Sequence, residues 1–355
     1  MTQFAVLSGA LVAACARPVT TATRPACPAV PSQLAVQKIA LPGAPADGVY
    51  MDYVAYDRAH HRVWIPAGNT GSVDVIDTDS AAVRRIEGFA IDEQARRDGT
   101  KRVVGPSSVT VGDGVVYVGN RADHEVCAID EASLRVGACV SLASMPDGIQ
   151  YVAATHEVWV TTPRDDTITI LRAPDPATLE LGEVLHFDGQ PECYQVDESR
   201  GVFYTNLEDR DKTLQIDLRT HEVRATWEPH CGEDGPKGIG LDHEHDLLLI
   251  ACDDHVVLMD AAHDGAILWQ VFTGEGVDNI DYVESRHELY AAAAGAAKLT
   301  IARLDPDQRA FVETQVVATH EGARNAVGTD EGDVYVPDTR EGAVLLVTRR
   351  STDAR

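Results

Sequence analysis

Gly201-Val202-Phe203-Tyr204-Thr205-Asn206-Leu207-Glu208-Asp209-Arg210-Asp211-Lys212-Thr213-Leu214-Gln215-Ile216-Asp217 reads as two short β-prone runs joined by a highly charged turn. The first run opens on an apolar residue followed by a large one, and this doublet recurs along the chain. It appears as Val63-Trp64, Val116-Tyr117, Val158-Trp159, Val202-Phe203, Leu248-Leu249, Leu289-Tyr290 and Val334-Tyr335. Successive second members lie 53, 42, 44, 46, 41 and 45 residues apart. Before each doublet stands a turn, usually marked by Asp or Glu, as at Asp57, Asp113, Asp197, Asp242, Glu284 and Asp330. After it, alternating runs close on another acid, as in Val73-Asp74-Val75-Ile76-Asp77 and Cys127-Ala128-Ile129-Asp130.

Four short strands in about 44 residues form one twisted sheet that cannot cover its own faces and must stack on neighbours, which is the logic of a propeller blade. The chain is therefore expected to be all-β, a seven-bladed β-propeller over residues 34–348, followed by a tail at 349–355. The seventh unit runs out after Val344-Leu345-Leu346-Val347, whereas Leu34 to Leu41 is a strand with no unit of its own. That N-terminal strand is expected to complete the last blade and so remove a free edge. A six-bladed ring with one irregular unit is the alternative.

Val116-Tyr117-Val118-Gly119-Asn120 and Phe203-Tyr204-Thr205-Asn206, with Val158-Trp159-Val160-Thr161-Thr162 further off, make the chain resemble the YVTN-repeat family of bacterial extracytoplasmic propellers. Blade five departs from that pattern: Met259 to Trp269 is closer to a quinoprotein-type repeat, and one copy implies shared blade construction but no bound quinone. The resemblance implies fold far more than function.

Residues 4–14 are mostly apolar and too short to span a bilayer, and Leu11-Val12-Ala13-Ala14-Cys15 resembles a lipobox. Residues 1–15 are thus expected to be a lipoprotein-type signal peptide with lipidation at Cys15, although no Lys or Arg precedes the apolar run. A plain cleaved signal and a buried helix are the alternatives. Residues 16–33, rich in Pro, Thr and Ala, suit a tether. The expected location is extracytoplasmic, periplasmic or at the cell surface, with Ala16 after the cysteine permitting the outer membrane in a Gram-negative host. Membrane contact is expected through the lipid alone.

Fifty-six acidic residues against 30 basic ones give a net charge of −26, which repels phosphate backbones and excludes nucleic acid as an expected partner. Cys127 and Cys139 flank a probable hairpin and form a candidate disulfide. Cys193 and Cys231 are as ready to bridge blades as to react.

In a propeller, the loops leading into each first strand share a face with those joining second and third strands. The lead-in positions supply Asp52, Glu192, Asp278, Asn279 and Asn325 as candidate ligands for Ca²⁺ or Mg²⁺, or for a small cationic molecule. Lys237, Arg324, His124 and His230 are further candidates on that face. Solvated turn residues are the competing account, because an acidic protein places carboxylates in most loops and no calcium-loop motif is present. Two long insertions, 89–104 with Arg96, Arg97, Lys101 and Arg102, and 227–235 with His230, fall on the same face. No GxSxG, SxxK or Walker motif appears.

Two functions fit. The first is a binding or scaffold module presenting its acidic channel face to a protein or a cationic ligand. The second is an enzyme similar to metal-dependent lactonase and lyase propellers, in which a channel cation polarises a carbonyl and a carboxylate acts as base.

Overall fold

The computed structural model describes residues 29–30, 34–95 and 99–349. The expected signal segment with Cys15, most of the expected tether with Cys27, Arg96, Arg97 and the residues after 349 lie outside them. Among the described residues there are seven sheets arranged as blades, and a separate two-stranded hairpin. Blade four shows the plan. Pro191–Asp197, Val202–Leu207, Lys212–Asp217 and Val223–Trp227 pair in sequence order, each antiparallel to the next.

The ring closes as expected. Leu34–Ala40 pairs antiparallel with Ala343–Arg349, from Leu34 opposite Arg349 to Ala40 opposite Ala343, and is the outermost strand of blade seven. Without it the strand Ala343–Arg349 would present an open edge. Ala29–Val30 adds a parallel fifth strand to blade six through Thr314 and Gln315.

Seven hydrophobic clusters hold the ring, one at each seam between blades. At the seam of blades three and four, Trp159 and Ile170 pack with Phe203 and Ile216, all essentially inaccessible. At the closing seam, Tyr335 and Val344 of blade seven meet Val63 and Ile65 of blade one. Both faces of the inner strands are thus buried, so each second strand is apolar on consecutive positions and does not alternate with polar residues.

The seams also correct one register. Asp57 pairs with Arg62 and Asp197 pairs with Val202, which makes Val202 equivalent to Arg62 and aligns Phe203-Tyr204 with Val63-Trp64. Blade four carries an extra apolar residue before the true doublet. With Tyr204 as second member, the two irregular intervals of 44 and 46 each become 45.

The first interval is long because Asp92–Ala95 and Lys101–Val104 form an inserted hairpin, paired from Asp92 opposite Val104 to Ala95 opposite Lys101.

Candidate functional site at the channel mouth

The lead-in loops and the second-to-third-strand loops do meet on one face, where they surround two adjoining cavities of about 520 and 640 Å³. The smaller is lined by Asp52, Asp147, Glu192, Lys237, Asp278 and Arg324 from the lead-in loops, and by Arg121, Arg164, Glu208 and Asp253 from the other set. The larger shares Asp52, Arg102, Arg121 and Arg324, and adds Tyr50, Met51, Asp47 and Arg340. Irregular backbone puts these side chains there. A bulge at Cys193, whose φ is 51°, interrupts the pairing next to Glu192, and Asn325 adopts φ 61°. Gly235, at φ 65°, lies so close to the Glu208 carbonyl that a Cβ there would collide with it. This tight passage brings the loop carrying Lys237 against Glu208.

Two arginines clamp three carboxylates across the mouth. Arg121 Nη2 donates to Asp52 Oδ2 at 2.9 Å and also to Asp147 Oδ1. Arg324 Nη1 lies 2.5 Å from Asp278 Oδ2 and its Nη2 3.5 Å from Asp52 Oδ1. Burial alone would raise the Asp52 carboxyl, but the charges of Arg324 and Arg121 hold it below the usual carboxylate range. Asp278 goes the other way: burial raises it, and Arg324 only partly opposes this. Lys237 Nζ donates to Glu208 Oε1 at 2.8 Å.

Glu192 differs from its neighbours. Burial, then the negative charge of Asp147, then its hydrogen bond with Glu208 push its carboxyl well above the ordinary value. Glu208 is lowered, because its bonds with Glu192 and Lys237 outweigh burial. Of the pair, Glu192 is thus the carboxyl that takes up a proton more readily.

Below the mouth the channel narrows to a space of about 220 Å³ lined by Tyr53, Cys193, Tyr194, Asn279 and Asn325. Tyr53 OH donates to Asp147 Oδ2 at 3.2 Å and accepts from Cys193 N at 3.3 Å. Asn325 Nδ2 donates to the Asp52 carbonyl at 3.0 Å and to Asp52 Oδ1 at 3.3 Å, while its Oδ1 accepts from Asn279 N at 3.1 Å. Arg121 Nε and Asn279 Nδ2 are buried with no hydrogen-bond partner in the protein, an arrangement that favours a ligand or water able to accept from them.

Of the residues singled out from sequence, Asp52, Glu192, Asp278, Lys237 and Arg324 line the mouth, and Asn279 and Asn325 line the space beneath it. His124 and His230 line neither cavity: each sits in its loop at positive φ, 56° and 64°. Cys127 and Cys139 are disulfide-bonded across neighbouring strands. Cys231 bridges to Cys252, whereas Cys193 is a buried free thiol pushed up to about 12 by burial, which removes it as a nucleophile at neutral pH. Sequence reading placed Asp147 and Glu208 on this face without singling them out as candidates, and it missed Arg121. The only signal for the three was a charged residue at a loop position already assigned to this face.

The five residues considered for Ca²⁺ or Mg²⁺ do not pool their oxygens. Asp52 and Asp278 share Arg324, Asn325 turns its amide nitrogen to Asp52, and Glu192 turns to Glu208. Ca²⁺ takes six to eight oxygen ligands, waters included, and here the carboxylates of Asp52 and Asp278 are engaged by guanidinium groups.

No family model matches the chain, and no curated protein does. Solved structures do. A streptogramin B lyase is 13% identical with a TM-score of 0.68, over 89% of this chain and 98% of that one. Virginiamycin B lyase from Staphylococcus aureus is 14% identical with a TM-score of 0.67, over 89% and 99%. A chain of the mitotic checkpoint complex is 15% identical with a TM-score of 0.68, over 98% and 99%. Two enzymes and a member of a regulatory assembly match almost equally, so the likeness is one of fold.

Proposed function

We propose that this protein is a lipid-anchored extracytoplasmic propeller of the YVTN kind that acts as a binding module and takes a small polar ligand in the channel mouth. The observation that carries this reading is the division of charge around the joined cavities. On the larger cavity Arg102, Arg121, Arg324 and Arg340 outnumber Asp47 and Asp52, whereas on the smaller one the six carboxylates of Asp52, Asp147, Glu192, Glu208, Asp253 and Asp278 slightly outnumber five basic side chains. The ligand class is therefore a molecule with an anionic and a cationic group, such as an ω-amino acid. The half-buried, pre-oriented guanidinium forks of Arg121 and Arg324 favour a carboxylate at one end, and the carboxylates of the smaller cavity favour an ammonium at the other.

Melting of the protein with millimolar 6-aminohexanoate, hexanoate or hexylammonium tests this. The amino acid is expected to raise the melting temperature by about 2–4 °C, more than either singly charged probe. Arg324→Ala is expected to erase that difference. Equal shifts from all three probes, or none from any, would overturn the ligand class.

A second reading, a lyase-like enzyme, is favoured by Glu192, whose raised carboxyl beside Glu208 at a solvent-reachable cavity suits proton transfer, and by neighbours that are themselves called lyases. In that reading Glu192 is the proton carrier.

A further inference from the structure

On the face opposite the mouth, at the seam of blades one and two, we infer a site for a Zn²⁺-class cation formed by Asp57, His60 and Glu131. Asp57 ends the first strand of blade one, Ala55–Asp57, and His60 lies in the turn that follows. Glu131 comes directly after the third strand of blade two, Glu125–Asp130. The backbone aims the first ligand: Asp57 Oδ1 accepts from Ala59 N at 2.9 Å and His60 N at 3.3 Å, which leaves Oδ2 towards the ring. His60 Nδ1 stands 2.9 Å from Asp57 Oδ2 and 2.6 Å from Glu131 Oε1. One ligand atom from each of the three residues lies within 4.8 Å of the other two.

Equivalent turns show what is unusual here. In blade four the Asp is Asp197, and the residue three further on is Arg200, whose Nη1 reaches Asp197 Oδ2 at 2.7 Å, so the turn carries its own cation. In blade five, Asp242 meets His245 Nδ1 at 2.8 Å, and its other oxygen is capped by Tyr282 OH, also at 2.8 Å. In blade one the group facing the Asp–His pair is a second carboxylate. Asp57 and Glu131 side chains are only 5% and 4% exposed, and the nearest fixed cation, Arg62, holds the Glu131 carbonyl at 3.2 Å and is 3.5 Å from Oε1. Asp57 and Glu131 also hydrogen-bond to each other, so two buried carboxyl groups facing one ring nitrogen are relieved either by a shared proton or by a cation that takes its place.

One imidazole nitrogen, two carboxylate oxygens and an open side match a three-ligand Zn²⁺ site with water in the fourth position. Ligand atoms about 2.0–2.2 Å from a tetrahedral ion stand about 3.4 Å apart, so the ring must withdraw by less than about 1 Å. His60, with its side chain 53% exposed, has room to do so. The ion would pin two adjacent blades together.

The test uses EDTA-treated, re-dialysed protein titrated with ZnCl₂, with MgCl₂ as the hard-ion comparison. One Zn²⁺ per chain is expected, with affinity at least about 100-fold above that for Mg²⁺ and a higher melting temperature. His60→Ala and Glu131→Gln are each expected to remove the stoichiometric site. Melting without zinc shows that the variants fold; His60 is exposed enough that its loss leaves the core intact, so it decides the matter even where Glu131→Gln is unstable. Absence of stoichiometric zinc in the parent protein, or zinc retained at full affinity in His60→Ala, overturns the assignment.

Discussion

Glu192 shows how position overrides composition. It is one of 56 acids, yet burial, the negative charge of Asp147 and its bond with Glu208, which also engages Lys237, push its carboxyl well above the ordinary value. Its raised value fixes the sign of a pH effect. In the unfolded chain Glu192 ionises near 4.5, while in the fold it stays protonated to a higher pH. The folded state therefore binds the extra proton, and its stability is complete below the unfolded value and declines as pH rises towards the raised folded value. Glu192→Gln cannot ionise and is expected to flatten that decline. Melting curves from pH 4 to pH 9 should converge at the acid end and separate progressively towards pH 8, with the parent protein melting lower than the variant. Parallel curves would show that Glu192 is ionised in the fold. The repeat made Glu192 legible as a mouth residue, since it fixes which positions lead into a first strand. It did not reveal the ion pairs around it, because Arg121 reaches Asp52 across 69 residues and Asp147 across 26. Sequence periodicity assigns faces, whereas ion pairs form between faces of different blades.

At the level of strands, the doublets were readable because each second strand is buried on both sides and so keeps a large residue at a fixed place. The one misalignment, Val202-Phe203 for Phe203-Tyr204, arose where three consecutive apolar residues satisfied the pattern twice. The disulfides divide similarly. Cys127 and Cys139 were legible because they face each other across one hairpin, but Cys231 and Cys252 join the loop before blade five to the end of its second strand, Leu247–Ala251. That second bond anchors the loop carrying Lys237, whose backbone N donates to Ala251 O at 2.7 Å. The sequence separations of 12 and 21 imply losses of about 2.8 and 3.3 kcal/mol when each bond is removed, on loop-closure grounds. Urea unfolding of paired Cys→Ser variants should show losses near these sizes, slightly greater for Cys231/Cys252. A stability unchanged by both replacements would mean that the blades are held by packing alone.

For the molecule as a whole, the net charge of −26 has to be located before it can be interpreted. At the mouth, six carboxylates face five basic side chains, so the smaller cavity is close to neutral and the expectation of an acidic ring gives way to a clamped one. Many remaining acids act locally in turns: Asp57, Asp130, Asp217 and Asp260 each accept a backbone N–H two or three residues ahead. Seven blades multiply such turns, and the surplus charge follows from the architecture. Those carboxylates are spread over the body, where like charges repel through water and respond to salt. The clamped pairs behave differently, since side chains such as Asp147 and Arg121, 7% and 14% exposed, are screened far less than surface groups. Raising NaCl from about 0.02 M to about 0.3 M shortens the screening length from roughly 20 Å to roughly 6 Å. The body's self-repulsion should fall while the mouth keeps its attraction, so the melting temperature is expected to rise by about 2–4 °C. In Arg324→Ala the same titration should give a larger rise, because Asp278 loses its guanidinium and adds repulsion that salt relieves, while Asp52 keeps Arg121. A melting temperature that falls with salt would mean that exposed ion pairs, such as Lys38–Glu341 and Arg340–Glu321, outweigh repulsion over the whole ring.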